Sequence, residues 1–400
     1  MRAARFVPAE QWRRNQYAVL LCVFVSFLGF SFVQPFLPLY VRQLGVDDLG
    51  EAALLSGLAF AVAPLLSGLL APLWGSLADR YGVKIMVQRA LVCFVVVNVL
   101  LSVVQSPWQL VALRACIGLF GGFGPMTASL VTMGAPQSEV GPAIGKLQAI
   151  QILANAVGPL VGGIVADLLG IRTSFLVTAG MCFLAFLAIS GLYREDRAEM
   201  AERRARPRLR FGQLLALPGF LPLLLVLLLA QAVDRGFGPI IPLYIAELDP
   251  GAPVASTAGT VLSLGLFVSA AAASQVGRAM RRFDARLLLP LSLLIGLVAI
   301  APLLVIERIW QLAALRIVYG VATGTTATLA YAAATRVIPE HSRSTAFGFL
   351  GSAVNLASAL GPVAAGALAT VSLGATFAVD TVVYALALGV CVTVVTRRRA

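Results

Sequence analysis

Five charged residues interrupt long apolar segments of this 400-residue chain, where a charge is costly unless it meets water or a partner. They are Arg114, Asp234, Arg235, Arg316 and Asp380. Burial disfavours a charged carboxylate, so an acid in such a segment takes up a proton more readily than one in water. Asp234 and Asp380 are therefore candidate proton carriers, although each could equally form a structural ion pair, and the adjacent Arg235 is a further candidate for proton coupling. Neighbouring helical side chains point about 100° apart, so Asp234 and Arg235 are expected to have different partners.

The composition requires lipid around most of the chain. Hydrophobic residues make up 59% and charged residues 12%, with a mean hydropathy of +0.91, whereas soluble domains are about a quarter charged. The net charge of +12 does not indicate nucleic acid, since the arginines punctuate apolar runs instead of clustering on one face. The five cysteines lie in apolar stretches and His341 is the only histidine, so neither a metal site nor a Ser-His-Asp enzyme is predicted.

Apolar stretches long enough to cross a bilayer recur throughout the sequence and predict an all-α membrane protein with twelve spans. The predicted ranges are 17–41, 53–78, 85–105, 108–133, 140–166, 172–193, 218–245, 256–278, 286–306, 309–335, 344–369 and 373–395. The first run is longer than a signal-peptide core of about 7–15 residues, so it is read as a retained span.

The basic residues predict the orientation. Of 30 Lys and Arg residues, 24 fall in loops on the side of the N-terminus, three (Arg42, Arg172 and Arg308) fall in the opposite loops, and three lie inside spans. This bias places both termini in the cytoplasm. The one long polar stretch predicts a cytoplasmic linker over 194–215, between six-helix bundles at 1–193 and 216–400.

The two bundles are related by an internal repeat. "QPFLPLYVRQLG" from Gln34 returns as "GPIIPLYIAELD" from Gly238, an offset of 204. "SPWQLVALRACIG" from Ser106 returns as "RIWQLAALRIVYG" from Arg308, an offset of 202, which pairs Arg114 with Arg316. Duplicated parallel halves are typical of transporters that bind substrate between the halves near the middle of the membrane. Both first helices are expected to kink at their prolines and to line one central path.

Two motifs identify a family. "GSLADRYGVKIMVQR", in the turn after the second span, resembles the cytoplasmic loop signature of the major facilitator superfamily at Gly75, Leu77, Ala78, Asp79, Arg80, Gly82 and Lys84. The resemblance implies that this loop latches one half against the other. A basic turn without a gating role is the alternative. Gly75 is expected to allow close helix approach, and Gly82 a tight turn.

"ANAVGPLVGG" in the fifth span resembles the antiporter motif of drug-exporting members, apart from Ala154 in place of the first glycine. Its Gly158, Pro159, Gly162 and Gly163 imply proton-coupled export, with a seam of small residues that only packs helices as the alternative. Arg114, about 9 Å along its helix from Trp108, resembles the arginine that the family associates with proton coupling. Arg316 could equally have a structural role.

The whole chain resembles a twelve-helix drug/proton antiporter of this superfamily, with the major facilitator fold. The resemblance implies export of hydrophobic or amphipathic molecules across the bacterial plasma (inner) membrane, and nothing in the sequence requires more than a monomer. The chain would use the proton motive force and no cofactor. Candidates to line the substrate cavity are Gln34, Phe27, Phe123, Phe237 and Arg316. Two alternatives stay open: a carrier of one metabolite such as a sugar or an organic anion, with Arg114 and Arg316 as anion ligands, and a membrane protein without transport.

Overall fold

A computed structural model of the chain describes residues 9–133, 137–194, 220–337 and 343–396. Within these residues every regular element is helical. The helices of the first half are α1 (Ala9–Val33), α2 (Leu37–Gln43), α3 (Leu49–Tyr81), α4 (Val83–Leu101), α5 (Pro107–Leu119), α6 (Phe123–Thr132), α7 (Gln137–Leu169) and α8 (Ile171–Leu192). Those of the second half are α9 (Phe220–Leu248), α10 (Val254–Ala279), α11 (Ala285–Ile300), α12 (Ile309–Val337), α13 (Arg343–Ala369) and α14 (Leu373–Val390).

These helices form twelve apolar spans, which confirms the predicted number and the all-α class. A helix satisfies its backbone hydrogen bonds internally, as a segment in lipid must. The third span begins at Val83, so Lys84 and Arg89, two of the 24 basic residues assigned above to loops, lie in the first two turns of α4. Most of the predicted linker and His341 lie outside the described residues.

Among the described residues, two spans are divided into two α-helices, and the ninth ends in a 3₁₀ turn at Ala301–Leu304. The first changes to a 3₁₀ turn at Gln34–Phe36, where Pro35 and Pro38 remove backbone donors. The fourth stops at Leu119 and restarts at Phe123, with Gly122 at φ +91°. The seventh span keeps Pro239 and Pro242 inside one continuous helix, α9. The shared proline phrase therefore does not produce the same kink in both halves, because an intervening 3₁₀ turn forms only in the first.

The repeat is nevertheless visible in matched contacts. Tyr40 donates its hydroxyl proton to the Leu101 carbonyl at 2.7 Å, and its counterpart Tyr244 donates to Leu303 at 3.1 Å. The ring centroids of Tyr40 and Phe175 are 5.1 Å apart, as are those of Tyr244 and Phe377. Each bond joins the C-terminal part of the first span of a half to the C-terminal end of the third span of the same half. The two halves thus share side-chain contacts as well as helix order.

Among the described residues, the closest contacts between the halves lie at one end. We call the end with the Gly82 turn and the start of α1 the near end, and the end with the turns 44–48 and 370–372 the far end. At the far end α3 packs on α13 and α7 on α10, so closely that a Cβ on Gly50 would lie 2.6 Å from the Thr370 Cα. At the near end Gly75 of α3, Gly145 of α7, Gly277 of α10 and Gly351 of α13 have open space where a Cβ would stand. The described structure is closed at the far end and open at the near end.

Candidate functional site

An ion pair lies inside the second half. Arg316 on α12 reaches Asp234 on α9, with its Nη1 and Nη2 atoms 3.3 and 3.4 Å from the Asp234 Oδ1 atom. The arginine side chain is 7% exposed and the aspartate 20%. The pair compensates both charges within the apolar interior, and the more open member is the acid.

Aromatic rings complete the surroundings of Arg316. The centre of its guanidinium lies 4.6 Å from the Phe237 ring and 5.1 Å from the Tyr319 ring, both within cation–π range. Tyr384 on α14 donates a hydrogen bond to the Tyr319 hydroxyl at 3.3 Å. The Arg316 Nε atom is buried without a hydrogen-bond partner. The arginine is therefore fixed by rings on two helices, while Asp234 is its one charged contact among the described residues.

The other two charged candidates of the second half stand apart from this pair. Asp380 on α14 is 8% exposed, one helical turn before Tyr384, and it has neither a hydrogen bond nor an ion pair within the described part of the chain. Arg235 is exposed and likewise unpaired there. Asp234 and Arg235 are expected to have different partners. Asp234 has one, Arg316, whereas Arg235 has none among the described residues.

Among the described residues of the first half, no ion pair corresponds to that of Asp234 and Arg316. Arg114 on α5 is 8% exposed, and no acid pairs with it among the described residues. Its Nε atom is buried without a partner. The side chain borders a cavity of about 10 Å³, the room of about one water molecule. The polar side chains around this cavity are Gln34, Asn98, Arg114 and Thr178.

The predicted substrate-cavity residues separate into three places. Phe27 and Phe123 lie together, with ring centroids 6.2 Å apart, in a cluster with Phe30 and Phe94 inside the first half. Phe237 is buried against Arg316 in the second half. Gln34 is exposed at the 3₁₀ turn. Contact of these residues with substrate stays a prediction.

The loop motif is placed at the near end. Gly82 ends α3 at φ +101°, a conformation that favours glycine, as the tight turn requires. Lys84 donates to the carbonyls of Ser190 and Tyr193 at 3.0 and 2.6 Å, and so ties α4 to the end of α8. Arg80 is exposed and lies over the Tyr81 ring. Gly75 has no close neighbour, contrary to the expected helix approach, because the near end is open in this state. The Asp79 side chain lies outside the described part.

The glycine motif of α7 is a packing seam on two sides. Gly158 and Gly162 pack against Ser31 and the Phe32 backbone of α1, with no room for a Cβ. On its other face Pro159 meets Gly259 of α10, and a Cβ on Gly163 would lie 2.6 Å from the Ala255 carbonyl oxygen. The motif therefore joins a helix of its own half to the opposite half.

Two contacts were missed by sequence reasoning. Asp167 on α7 accepts a hydrogen bond from the Ser256 N–H across the far-end interface at 2.7 Å. Arg89 stacks 3.5 Å from the Trp74 ring and donates to the carbonyls of Phe120 and Gly121 at 3.1 Å, where the fourth span is broken. Neither contact follows from local spacing, because each joins residues far apart in sequence.

The fold and these buried charges define a membrane protein of two matched six-span halves, with charged groups in the interior of each. The family model of the Major Facilitator Superfamily matches residues 19–256 and 223–400, and the chain belongs to that superfamily. It is a multi-pass membrane transporter with small-molecule substrates, not an enzyme.

Relatives and solved structures agree with this assignment. The chain is 34% identical over 315 residues to the multidrug resistance protein MdtG of Salmonella paratyphi A, and 33% identical to that of Salmonella typhimurium, each alignment covering 78% of both chains. It is similar in fold to the nucleoside transporter NupG, with a TM-score of 0.76, 11% identity and coverage of 96% of this chain and 99% of the other. A bacterial homologue of the lysosomal transporter Spinster, in an inward-facing and unoccupied conformation, has a TM-score of 0.78 at 16% identity, covering 98% of this chain and 100% of the other.

Proposed function

We propose that the chain exports hydrophobic and amphipathic molecules across the bacterial inner membrane in exchange for protons. The observation that carries the proposal is the Asp234–Arg316 pair, an intramembrane carboxylate that is 20% exposed and held by a more deeply buried arginine. The names of the MdtG relatives support a multidrug substrate range.

The pair supplies a coupling step in physical terms. Charged Asp234 attracts Arg316, and a proton on the carboxylate removes that attraction and leaves the arginine to its aromatic neighbours. Because Asp234 lies on α9 and Arg316 on α12, protonation changes a contact between two helices of the second half. Asp380, buried and without a described partner, is the second acid that could take part.

The direction follows from orientation. The excess of basic residues on the side of the termini supports a near end that faces the cytoplasm. The described state, open at the near end and closed at the far end, would then admit molecules from the cytoplasm. Release outside requires that the α3–α13 and α7–α10 contacts part while the near end closes, the rocking motion of duplicated transporters. We propose that residues 194–215 link the two halves and that the unit is a monomer.

The test is proton-driven transport by purified protein in liposomes. An imposed proton gradient should drive movement of ethidium and of dansylglycine, a cationic and an anionic amphipathic dye, and a protonophore should stop it. Asp234→Asn should abolish the gradient-driven part, whereas Arg235→Gln, which changes an exposed neighbour without an ion pair in the described structure, should retain it. Gradient-independent transport, or full activity of Asp234→Asn, would refute proton coupling through this pair. Transport of one compound alone among a chemically varied panel would favour the carrier of a specific metabolite.

A further inference from the structure

Arg114 carries a buried positive charge that nothing in the described structure neutralises. The residue is only 8% exposed, and its Nε atom has no acceptor among the described residues. A charge in this position is costly without a counter-charge or water. Arg316, its counterpart at the 202-residue offset, has Asp234. The first half therefore has an arginine that corresponds to Arg316, but no described carboxylate is paired with it.

The internal repeat identifies the first-half residues that correspond to Asp234 and Asp380. At the 204-residue offset of the first and seventh spans, Asp234 corresponds to Phe30. At the 202-residue offset that relates Phe175 to Phe377, Asp380 corresponds to Thr178. Phe30 and Thr178 both border the cavity beside Arg114. The positions that hold carboxylates in the second half thus surround the lone arginine of the first, without carboxylates.

The remaining groups around the cavity suit an incoming anion. Thr178 donates its proton to the Gly29 carbonyl and Asn98 donates to the Phe94 carbonyl, and both side chains are uncharged, so neither neutralises the arginine. Gln34 is exposed at the 3₁₀ turn and borders the same cavity, which gives access from that side. With room for about one water-sized group, the cavity admits one oxygen atom of a carboxylate, while the rest of the ligand stays outside it. Phe30 and Ile117 supply apolar walls beside that oxygen atom.

We propose that the Arg114 cavity is an anion subsite that receives the carboxylate of an amphipathic substrate, with Arg114 as its counter-ion and Gln34 at its entrance. The inference rests on the proposed function, because it names the charge class among the molecules that the transporter exports. Amphipathic acids are then preferred over neutral molecules of the same shape. A small inorganic anion such as chloride would be attracted to Arg114 in the same way, so it is the alternative occupant that the experiment must distinguish.

The experiment measures binding and needs no proton gradient. Purified full-length protein in nanodiscs, in a buffer of low ionic strength free of chloride and of carboxylates, is titrated with dansylglycine and with dansylglycinamide, which differ only in the carboxylate. We expect dansylglycine to bind about tenfold more tightly or better, and Arg114→Gln to bring the ratio of the two affinities close to one while leaving the amide affinity unchanged. Arg114→Lys should keep part of the preference, and Arg42→Gln, which removes an exposed far-end arginine, should keep all of it.

Equal affinity of the wild-type protein for both probes would overturn the proposal, and this outcome requires no variant to fold. A carboxylate preference that survives in Arg114→Gln would overturn it as well. Chloride is then titrated against thermal unfolding. Stabilisation by chloride that needs Arg114, with no carboxylate preference, would assign the cavity to an inorganic anion and reject the substrate role. A carboxylate preference in a protein that transports nothing along a proton gradient would sustain the subsite and refute only the proposed function.

Discussion

The Asp167 carboxylate accepts a hydrogen bond from the backbone N–H of Ser256 at 2.7 Å, so that an acid of the first half caps a helix of the second. Ser256 lies in the first turn of α10, where backbone N–H groups lack intrahelical acceptors. The positive end of the helix dipole adds to the attraction. The bond exists only while the far end is closed, so it stabilises that state against the one in which the halves part there.

Asp167→Ala is therefore expected to shift the protein away from far-end closure. Loss of a cap costs about 1 kcal/mol, which corresponds to a change of about fivefold in the ratio of the two states. Spin labels at Gln43→Cys and Glu247→Cys, both exposed positions near the far end on opposite halves, would report longer distances in the variant. The background would replace the five native cysteines.

Asp48→Ala is the matched control, because Asp48 caps α3 within its own half through a 2.7 Å bond from Glu51 N–H. It should change thermal stability without changing the label distance. An unchanged distance distribution in Asp167→Ala would show that the bond does not bias the closed state.

A second prediction concerns backbone contact between the halves. Gly57 on α3 packs against the Pro362 carbonyl of α13, where an added methyl group has no room. Gly57→Ala should prevent full far-end closure and lower the stability of the described state by about 1–3 kcal/mol, the usual cost of overpacking. Thermal unfolding in nanodiscs measures the loss, and the label pair above measures the opening. Gly180→Ala on α8, an exposed position with open space for the added methyl group, should leave both unchanged.

The third prediction separates the structural from the coupling role of the ion pair. Asp234→Asn leaves Arg316 buried without a counter-charge, and we expect a loss of about 3 kcal/mol, at the low end for a broken buried pair because Asp234 is 20% exposed. The charge-reversed double variant, Asp234→Arg with Arg316→Asp, should recover much of the thermal stability. Transport should not recover, because the acid then lies on α12 and not on α9. If transport returned with stability, coupling would require an acid–arginine pair between α9 and α12 but not an acid on α9.

The sequence was sufficient for the spans and the repeat, but not for the contacts between the halves. Span number follows from apolar length, and the Gly82 turn from a glycine between two helices, both of which are local properties. The pairing of Asp234 with Arg316 joins residues 82 positions apart, and the choice between that partner and another depends on how α9 packs on α12. The break at Gln34–Phe36 in the first half and its absence at Pro239 likewise depend on neighbouring helices, since both segments carry two prolines.

The state of the molecule was equally inaccessible to sequence reasoning. Gly75 and Gly163 are both glycines in motifs, yet one faces open space and the other touches the opposite half. A glycine makes a close approach of two helices possible. Whether the two helices do approach depends on how the two halves are positioned. A loop motif of a moving protein can therefore be recognised in sequence while its contacts belong to one state.

The final prediction tests whether the matched contacts of the two halves have matched energies. Tyr40 and Tyr244 each donate a buried hydrogen bond to a carbonyl at the end of a span, at 2.7 and 3.1 Å. Tyr40→Phe and Tyr244→Phe remove the hydroxyl, keep the ring packing and leave an acceptor unsatisfied, at a cost of about 1 kcal/mol each. Thermal unfolding should show similar losses for both and additive losses in the double variant, since the sites lie in different halves. Tyr17→Phe, at an exposed position, should show no loss. A much larger effect in one half would mean that the duplicated bundles, alike in geometry, do not share their stability evenly.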